Sequence, residues 1–245
     1  MIRPEERMAA ALAALIADPH APPARHIAVG AASPIPAAAC WLVRKRGLPV
    51  RLSLLHRPRG NPFTAGTREL FDLTGQGRID LFFLGGGQID GQANINLIGT
   101  GEWPGGGARF PGSFGSAFMY MMVPRTILFR EEHSPRVMVP RVDHVSAPGL
   151  SPPGVFRRGT AQALVTGRAV FRFDAGAGRF TLASRHPGET EESIRAATGF
   201  DYDAPEQVPE TPDPAAEDLA LLRGPVCDEM LETYPDFCRK VWGRG

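Results

Sequence analysis

The chain has 245 residues, and its 27 Lys and Arg side chains are balanced by 26 Asp and Glu side chains. A formal net charge of +1 excludes a protein that gathers nucleic acid or an anionic membrane through a broad positive field. With 43% hydrophobic residues, a chain of this length can bury a full core, so we expect one large domain, with or without a tail.

The cysteines and the N-terminus indicate the compartment. Cys40, Cys227 and Cys238 form no CxxC pair, which disfavours a disulfide framework and a structural zinc site. Residues 1–17 carry charges before an alanine-rich run, a pattern typical of an amphipathic helix and not of a secretory signal. No stretch approaches the roughly 18 apolar residues of a membrane span. We therefore expect a cytoplasmic protein with no metal site and no membrane partner.

Apolar runs alternate with helical patterns in the first part of the chain. Continuous apolar strands of this kind are typical of a parallel sheet that is covered on both faces, so we predict an α/β fold. The patterns predict helices over 1–17, 33–46 and 67–74, and strands over 26–30, 50–55 and 79–84.

The second part of the chain begins with a long region rich in Gly, Asn and Pro, residues 85–115. A loop region of that length inside a compact domain is more often functional than idle. Beyond it, the patterns predict helices over 116–122 and 189–198, and strands over 126–130, 141–146, 161–165, 168–173 and 180–184.

Two features indicate how the chain ends. Thr166-Gly167 is a hairpin signal, so we expect the last strands to be antiparallel. Residues 204–214 contain four prolines and are predicted to form a linker. We therefore predict one α/β domain over 1–203, followed by a linker and a helical tail over 204–245 that packs on it.

Three glycines, Gly85 to Gly87, follow the apolar strand 79–84. Backbone amides at the carboxyl edge of a parallel sheet are where open α/β folds bind ligands. The pattern is not GxGxxG, and no helix opens directly after it, so a dinucleotide fingerprint is unsupported. Gly86, Gly87 and Gln88 are candidate substrate-binding residues. The alternative is a turn without a ligand, in which Gln88 and nearby Asn and Asp side chains order the loop.

A second glycine-rich stretch runs from 105 to 116 and ends where a helix is predicted. Amides at such a turn form a site for a negative oxygen, so Gly112, Ser113 and Gly115 are candidate binding residues. A guanidinium can hold a carboxylate or a phosphate through two hydrogen bonds, which makes Arg109 a candidate as well. The alternative is that Arg109 pairs with a carboxylate across the sheet.

His133 and Arg136 form a local basic pair in a chain whose charges are otherwise balanced. We take them as candidate substrate-binding residues. The alternative is a solvated loop, because Pro135 lies between them.

The order of the motifs resembles the B (β) subunit of the family I CoA-transferases, most closely the glutaconate CoA-transferase type and the related subunit of a steroid-ring-opening CoA hydrolase. The resemblance rests on the strand 26–30, the GGxQID stretch with its following asparagines at 85–96, the RFPGSxG loop at 109–115, the His, Arg and VDxVSxPG stretch at 133–149, and TGFD at 198–201 followed by Pro-Asp-Pro at 212–214.

This resemblance implies an open, mainly parallel α/β sheet of the CoA-transferase (NagB/RpiA) type, with an antiparallel C-terminal part and flanking helices. It also implies a partner α subunit in an α2β2 or larger assembly. The expected substrate is an acyl-CoA, with coenzyme A as part of the substrate and no permanently bound cofactor. The family motifs have glycine where Ala93 and Phe114 stand, so we expect the turns there to be altered.

The resemblance also implies a reaction. In such transferases a glutamate at the end of the second strand attacks the thioester and then carries coenzyme A as a glutamyl thioester. In this sequence that place falls at His56 or Arg57, and neither is acidic. His56 and Arg57 are therefore catalytic candidates. Arg109 is the third catalytic candidate, because the resemblance implies that its loop can face the thioester carbonyl.

Three functions remain open. The chain is part of a hydrolase whose catalytic carboxylate comes from the α subunit, or of a CoA-transferase in which another residue replaces the glutamate, or it is a non-catalytic partner. The glutamates considered as replacements in the CoA-transferase are poorly placed, because none of them lies at the end of the second predicted strand. They are Glu69, Glu102, Glu131 and Glu132.

Overall fold

The computed structural model describes residues 1–55, 57–59, 61 and 63–245. The helices are α1 (Pro4–Ile16), α2 (Pro34–Lys45), α3 (Thr67–Gly75), α4 (Ser116–Met122), α5 (Glu191–Ala197), α6 (Ala216–Leu221), α7 (Cys227–Met230) and α8 (Pro235–Trp242). The strands are β1 (His26–Val29), β2 (Arg51–Leu54), β3 (Leu81–Leu84), β4 (Gln88–Ile89), β5 (Ile95–Asn96), β6 (Arg125–Arg130), β7 (Thr160–Thr166), β8 (Ala169–Asp174) and β9 (Arg179–Arg185).

The chain contains two compact units. One comprises Met1–Phe83 with Pro212–Gly245, and the other comprises Leu84–Thr211. The C-terminal segment belongs to the first unit because α7 packs on α2. The predicted division into a domain over 1–203 and a linker with a helical tail over 204–245 stays a prediction.

The first unit is built on parallel strands. β1 pairs with β2 on one side and with β3 on the other, so that Ile27 lies opposite Leu52 and Leu81. All four residues of β1 and of β3 are buried, as the continuous apolar runs predicted. Because the strands are parallel, the carboxyl ends of β1 and β2 lie at one edge, and the chain leaves that edge through Gly30 and Leu55.

The second unit carries the antiparallel part of the fold. β6 pairs in parallel with β7, and β7, β8 and β9 then pair antiparallel, as expected. The turn between β7 and β8 lies one residue later than predicted, because β7 extends through Thr166. Rings of Phe171, Phe180 and Tyr202 meet in its core, with Phe171 and Tyr202 centroids 5.2 Å apart.

The predicted strand 141–146 is wrong. This segment forms turns, and its neighbour Ala147 makes only an isolated bridge with Ile95. Its backbone amides do not pair with one neighbouring strand. Val142 donates to the Asp90 side chain at 3.3 Å and Asp143 to the Gln88 side chain at 3.0 Å, whereas Ser146 donates to the carbonyl of Ile95 in β5 at 3.0 Å. A short alternation of apolar and polar residues is the same whether the backbone amides pair with a neighbouring strand or bind distant side chains.

The remaining predicted elements agree with the structure to within a few residues. The fold is a mainly parallel, open α/β sheet with antiparallel strands and flanking helices, which confirms the predicted class. Among the residues that the structure describes, no helix has both the length and the apolar character that crossing a membrane requires.

Candidate functional site

Arg57 lies just beyond the carboxyl end of β2, at the edge where open α/β sheets bind ligands. Its Nε lies 3.3 Å from a carboxylate oxygen of Glu232, and its Nη2 lies 3.6 Å from one of Glu229. Its guanidinium carbon is 5.4 Å from the centroid of the Trp41 ring. His56, the other catalytic candidate at this strand end, lies outside the described residues.

Glu229 and Glu232 are the site residues that the sequence analysis missed. Arg57 and Glu232 are 175 positions apart, so no local spacing links them. Glu229 also accepts a hydrogen bond of 3.0 Å from Lys45, which joins the C-terminal segment to the end of α2. The only signal in the sequence was an acidic cluster in the predicted tail, which is by itself typical of a solvated helix face.

The glycine turn after β3 is shaped by close packing. A Cβ atom on Gly86 would lie 2.5 Å from Ile95, and one on Gly87 would lie 2.2 Å from the Phe110 ring. The buried side chain of Gln88 accepts hydrogen bonds from Asn96 at 2.7 Å and from the Asp143 amide at 3.0 Å. These contacts show that the Gln88 side chain orders the loop. Substrate contact by Gly86, Gly87 and Gln88 stays a prediction.

Arg109 lies in a pocket of about 510 Å³ within the second unit. Its guanidinium carbon is 3.8 Å from the centroid of the Trp103 ring, and Nη2 donates to the carbonyl of Pro104. The imidazole of His144 is anchored by a 2.9 Å hydrogen bond between Nε2 and the carbonyl of Gly101. The pocket is lined by Ile98, Trp103, Arg109, Phe110, Gly112, Ser113 and His144.

The pocket therefore combines apolar walls with one cation and one imidazole. Such a lining suits an apolar group that carries a negative charge. The Gly112 amide is occupied, because it donates to the carbonyl of Leu97 at 2.9 Å. Gly115 precedes α4, a helix of only 7 residues. The expected anion site at these amides stays a prediction, and His144 is a pocket residue that the sequence analysis did not single out.

His133 and Arg136 are not brought together. Both ring nitrogens of the buried His133 are engaged, 2.8 Å from the hydroxyls of Thr166 and Thr198. Burial, followed by the nearby Arg168, lowers the pKa of His133 to about 4, so the ring is neutral at pH 7. Arg136 lies at the surface, 2.6 Å from Glu132. This geometry gives His133 a structural role, and coenzyme A binding by either residue stays a prediction.

Two of the alternative glutamates are committed to local contacts. Glu69 accepts hydrogen bonds from Thr64 and from the Ala65 amide, which lower its pKa, the Thr64 hydroxyl most. Glu132 is bound by Arg136 and by the Ser134 hydroxyl. Within the described part of the chain, no group of three His, Cys, Asp or Glu side chains is arranged to hold a metal ion.

Ala93 and Phe114 both adopt backbone conformations that favour glycine. Their φ angles are 60° and 46°, in the left-handed region. The chain therefore keeps the turn geometry of a glycine at both positions while carrying a Cβ atom. Ala93 is buried and Phe114 is exposed, so the two turns differ in their surroundings.

The family model for coenzyme A transferase matches residues 57–197. The chain belongs to the coenzyme A transferase family. The B subunit of glutaconate CoA-transferase from Acidaminococcus fermentans is 34% identical over 149 residues, which are 58% of this chain and 54% of that protein. The B subunit of 3-oxoadipate CoA-transferase from Pseudomonas knackmussii is 30% identical over 164 residues, 64% of this chain and 63% of that protein. The matched part is thus less than two thirds of either relative.

Solved structures extend the likeness to nearly the whole chain. The decarboxylase AibA/AibB is 25% identical with a TM-score of 0.75, covering 91% of this chain and 94% of that one. Glutaconate CoA-transferase from Acidaminococcus fermentans is 21% identical with a TM-score of 0.76, over the same shares of the two chains. IpdAB of Rhodococcus jostii RHA1 is 23% identical, with a TM-score of 0.76 over 91% and 94%. The predicted resemblance and the CoA-transferase fold are both confirmed.

Proposed function

We propose that this chain is the β-like subunit of a hetero-oligomeric enzyme that acts on acyl-CoA thioesters, with an α subunit that contributes much of the active site. Both curated relatives are named as the B subunit of a CoA-transferase, which supports a partner of this kind. In this proposal coenzyme A enters as part of the substrate, the chain holds no resident cofactor, and the assembly works in the cytoplasm as α2β2 or larger.

The reaction that we propose is ring-opening hydrolysis of a cyclic β-diketone-like CoA ester. The observation that carries it is the end of β2, where Leu55, His56 and Arg57 offer no carboxylate as nucleophile. A covalent relay through a glutamyl thioester needs a carboxylate there, because the group must serve as nucleophile and leaving group in turn. The decarboxylase AibA/AibB, whose name is not that of a transferase, supports a chemistry other than CoA transfer on this fold.

In this mechanism a carboxylate of the α subunit takes a proton from water, and the hydroxide adds to a ring carbonyl. The C–C bond to the carbon between the two carbonyls then breaks, and its electron pair passes to that carbon as an enolate, which is protonated. The new carboxylate contains one oxygen from water, and the CoA thioester remains intact. We assign the apolar pocket with Arg109 and His144 to the acyl group of the substrate. In this assignment the Arg109 guanidinium holds a negatively charged substituent of that acyl group.

CoA transfer between carboxylic acids is the second candidate. It is favoured by the names of the two curated relatives, which are both CoA-transferase subunits. It requires a carboxylate other than the residues that end β2 to carry coenzyme A, and Glu229 and Glu232, which contact Arg57, are carboxylates at that edge. A non-catalytic role is the third candidate, and it predicts that Arg109→Ala leaves the turnover of the complex unchanged.

Trapping separates these candidates. The complex with the α subunit is incubated with an acyl-CoA and then with hydroxylamine or borohydride, and both chains are analysed by mass spectrometry. Hydrolysis predicts no modified glutamate on either chain, whereas a trapped glutamyl-CoA adduct establishes transfer. The isolated chain is expected to be inactive, and turnover by this chain alone would overturn the two-subunit model.

A further inference from the structure

Glu232 binds the end of β2 with both of its carboxylate oxygens. Oε2 lies 3.3 Å from Nε of Arg57, and Oε1 accepts a hydrogen bond from the backbone N–H of Arg59. One guanidinium and one backbone amide thus hold the two oxygens of a single planar anion. This is the arrangement by which proteins bind carboxylates and phosphates as ligands.

The segment that carries Glu232 lies along the carboxyl edge of two strands. The hydroxyl of Tyr234 donates to the carbonyl of Gly30 at 3.2 Å, and Gly30 directly follows β1. Since β1 and β2 are parallel neighbours, Tyr234 and Glu232 contact the same edge of the sheet. Open α/β sheets bind ligands at this edge, so the C-terminal segment occupies a place where a ligand is expected.

We propose that the Arg57 guanidinium and the Arg59 amide form an oxyanion-binding site, and that Glu232 occupies it as an internal competitor. A carboxylate or a phosphate of the substrate binds there by displacing Glu232. The proposal rests on the proposed function only for the natural source of that anion, since the site itself is defined by contacts within this chain.

The contacts of Glu232 are of a kind that an external anion can replace. The side chains of Arg57 and Glu232 are 27% and 26% exposed, so water and small anions reach the pair. A partly exposed ion pair contributes little to stability, and its loss is therefore easily offset by a new anion. In contrast, the side chain of Glu6 in the same unit is fully buried, so solvent anions do not reach its ion pair.

Other contacts keep Arg57 in place when Glu232 leaves. Glu229 lies 3.6 Å from Nη2 of Arg57 and is itself held by Lys45 at 3.0 Å. The centroid of the Trp41 ring lies 5.4 Å from the guanidinium carbon. The cation is thus oriented by two neighbours besides Glu232, so the site remains formed for the incoming anion.

The test is calorimetric titration of the full chain with inorganic phosphate, glutarate and coenzyme A at constant ionic strength. Glu232→Gln removes the competitor and should tighten anion binding about fivefold, the factor expected for a partly exposed ion pair. Asp228→Asn is the matched control, because it also removes one negative charge from this segment, while its carboxylate contacts Arg244 at 2.6 Å and not Arg57. The affinity of Asp228→Asn for each anion should stay within about twofold of the affinity of the wild-type chain.

Two further variants keep the outcome decisive. Adding Arg57→Met to Glu232→Gln should abolish the gain in affinity, and Tyr234→Phe should give a smaller gain because it loosens the segment. Tighter binding of glutarate than of phosphate assigns the site to a substrate carboxylate, and the reverse assigns it to a phosphate of coenzyme A. The proposal is overturned by equal changes in Glu232→Gln and Asp228→Asn, by weaker binding in Glu232→Gln, or by no binding of any probe.

This result is independent of the proposed reaction. The titration is made on the chain without its partner and reads no turnover. A complex that transfers coenzyme A would contradict the hydrolase proposal and leave the internal competition intact, whereas a failed titration would leave the hydrolase proposal intact.

Discussion

Arg223 and Glu6 form a two-point ion pair, with Nε 2.7 Å from Oε1 and Nη2 2.8 Å from Oε2. The Glu6 side chain is fully buried, and it also accepts a 3.2 Å hydrogen bond from the indole of Trp242. This pair joins α1 to the segment between α6 and α7, and it adds to the packing of α7 on α2 in the unit that contains both ends of the chain.

We predict that Arg223→Met lowers the free energy of unfolding by about 2 kcal/mol at pH 7, because it leaves the buried carboxylate without its cation. Burial alone would raise the pKa of Glu6, but hydrogen bonds from Arg223 and from the Arg3 amide outweigh it and lower the pKa. The carboxylate therefore stabilises the fold above its unfolded pKa of 4.5, and this contribution is lost as the pH falls through the lower folded value. Urea unfolding at pH 7 and pH 3 measures the difference.

The matched control for this prediction is Arg239→Met, whose partner Asp236 is 92% exposed. It should change the free energy of unfolding by less than about 0.5 kcal/mol at either pH. Equal losses of unfolding free energy in Arg223→Met and Arg239→Met would show that burial does not increase the contribution of the Arg223–Glu6 pair to stability.

His133 should make stability depend on pH in a defined window. Its pKa is about 4 in the folded chain and 6.5 in the unfolded chain, so the unfolded state takes up a proton first as the pH falls. Stability is fully present above pH 6.5, falls by about 3 kcal/mol toward pH 4, and levels off below that value. In His133→Asn this part of the slope should disappear from urea unfolding curves, while the exposed His20→Asn keeps it. An unchanged slope in His133→Asn would refute the buried neutral imidazole.

Ala93→Gly should stabilise the chain. The φ angle of 60° at this residue favours glycine, and relief of the left-handed strain is expected to raise the free energy of unfolding by about 1 kcal/mol. Ala163→Gly is the matched control, since Ala163 is equally buried but lies in the regular strand β7, where glycine should cost about 0.5–1 kcal/mol. Equilibrium unfolding in urea compares the two, and the same sign for both variants would contradict the strain at Ala93.

Arg109→Met should raise the KM of the complex for an acyl-CoA with an anionic acyl group about tenfold, with little change in kcat, because a charge-assisted hydrogen bond of uniform strength is lost. Steady-state kinetics on acyl-CoA esters with and without that anionic group give the comparison. Arg239→Met serves as the control for loss of a surface charge. A fall in kcat at unchanged KM would place Arg109 at the reacting atoms instead.

The sequence predicted the elements whose patterns are local. The apolar run at β3 and the spacing in α1 identify a buried strand and an amphipathic helix without reference to the rest of the chain. The segment 141–146 misled because its alternation resembles a strand, whereas Asp90 and Gln88 bind its amides from about 50 residues away.

The candidate site shows the same limit. Arg57 was identified because the family resemblance places a catalytic residue at the end of the second strand, and that strand end can be located in the sequence. Its partners Glu229 and Glu232 lie in a segment that only the folded chain brings to that edge. His133 looked like a basic surface residue, and its neutral, buried state depends on Thr166 and Thr198, far from it in the sequence. Chemistry that rests on one element is predictable, and chemistry that rests on the pairing of distant segments is not.

Ring-opening hydrolysis by a complex in which this chain carries no acyl relay is tested most directly with a cyclic β-diketone CoA ester in ¹⁸O-labelled water, in the presence of a free carboxylic acid. We predict an opened product that keeps its CoA thioester and carries one ¹⁸O in the new carboxylate. Movement of coenzyme A to the added acid, with no ¹⁸O in an opened ring, would contradict this mechanism.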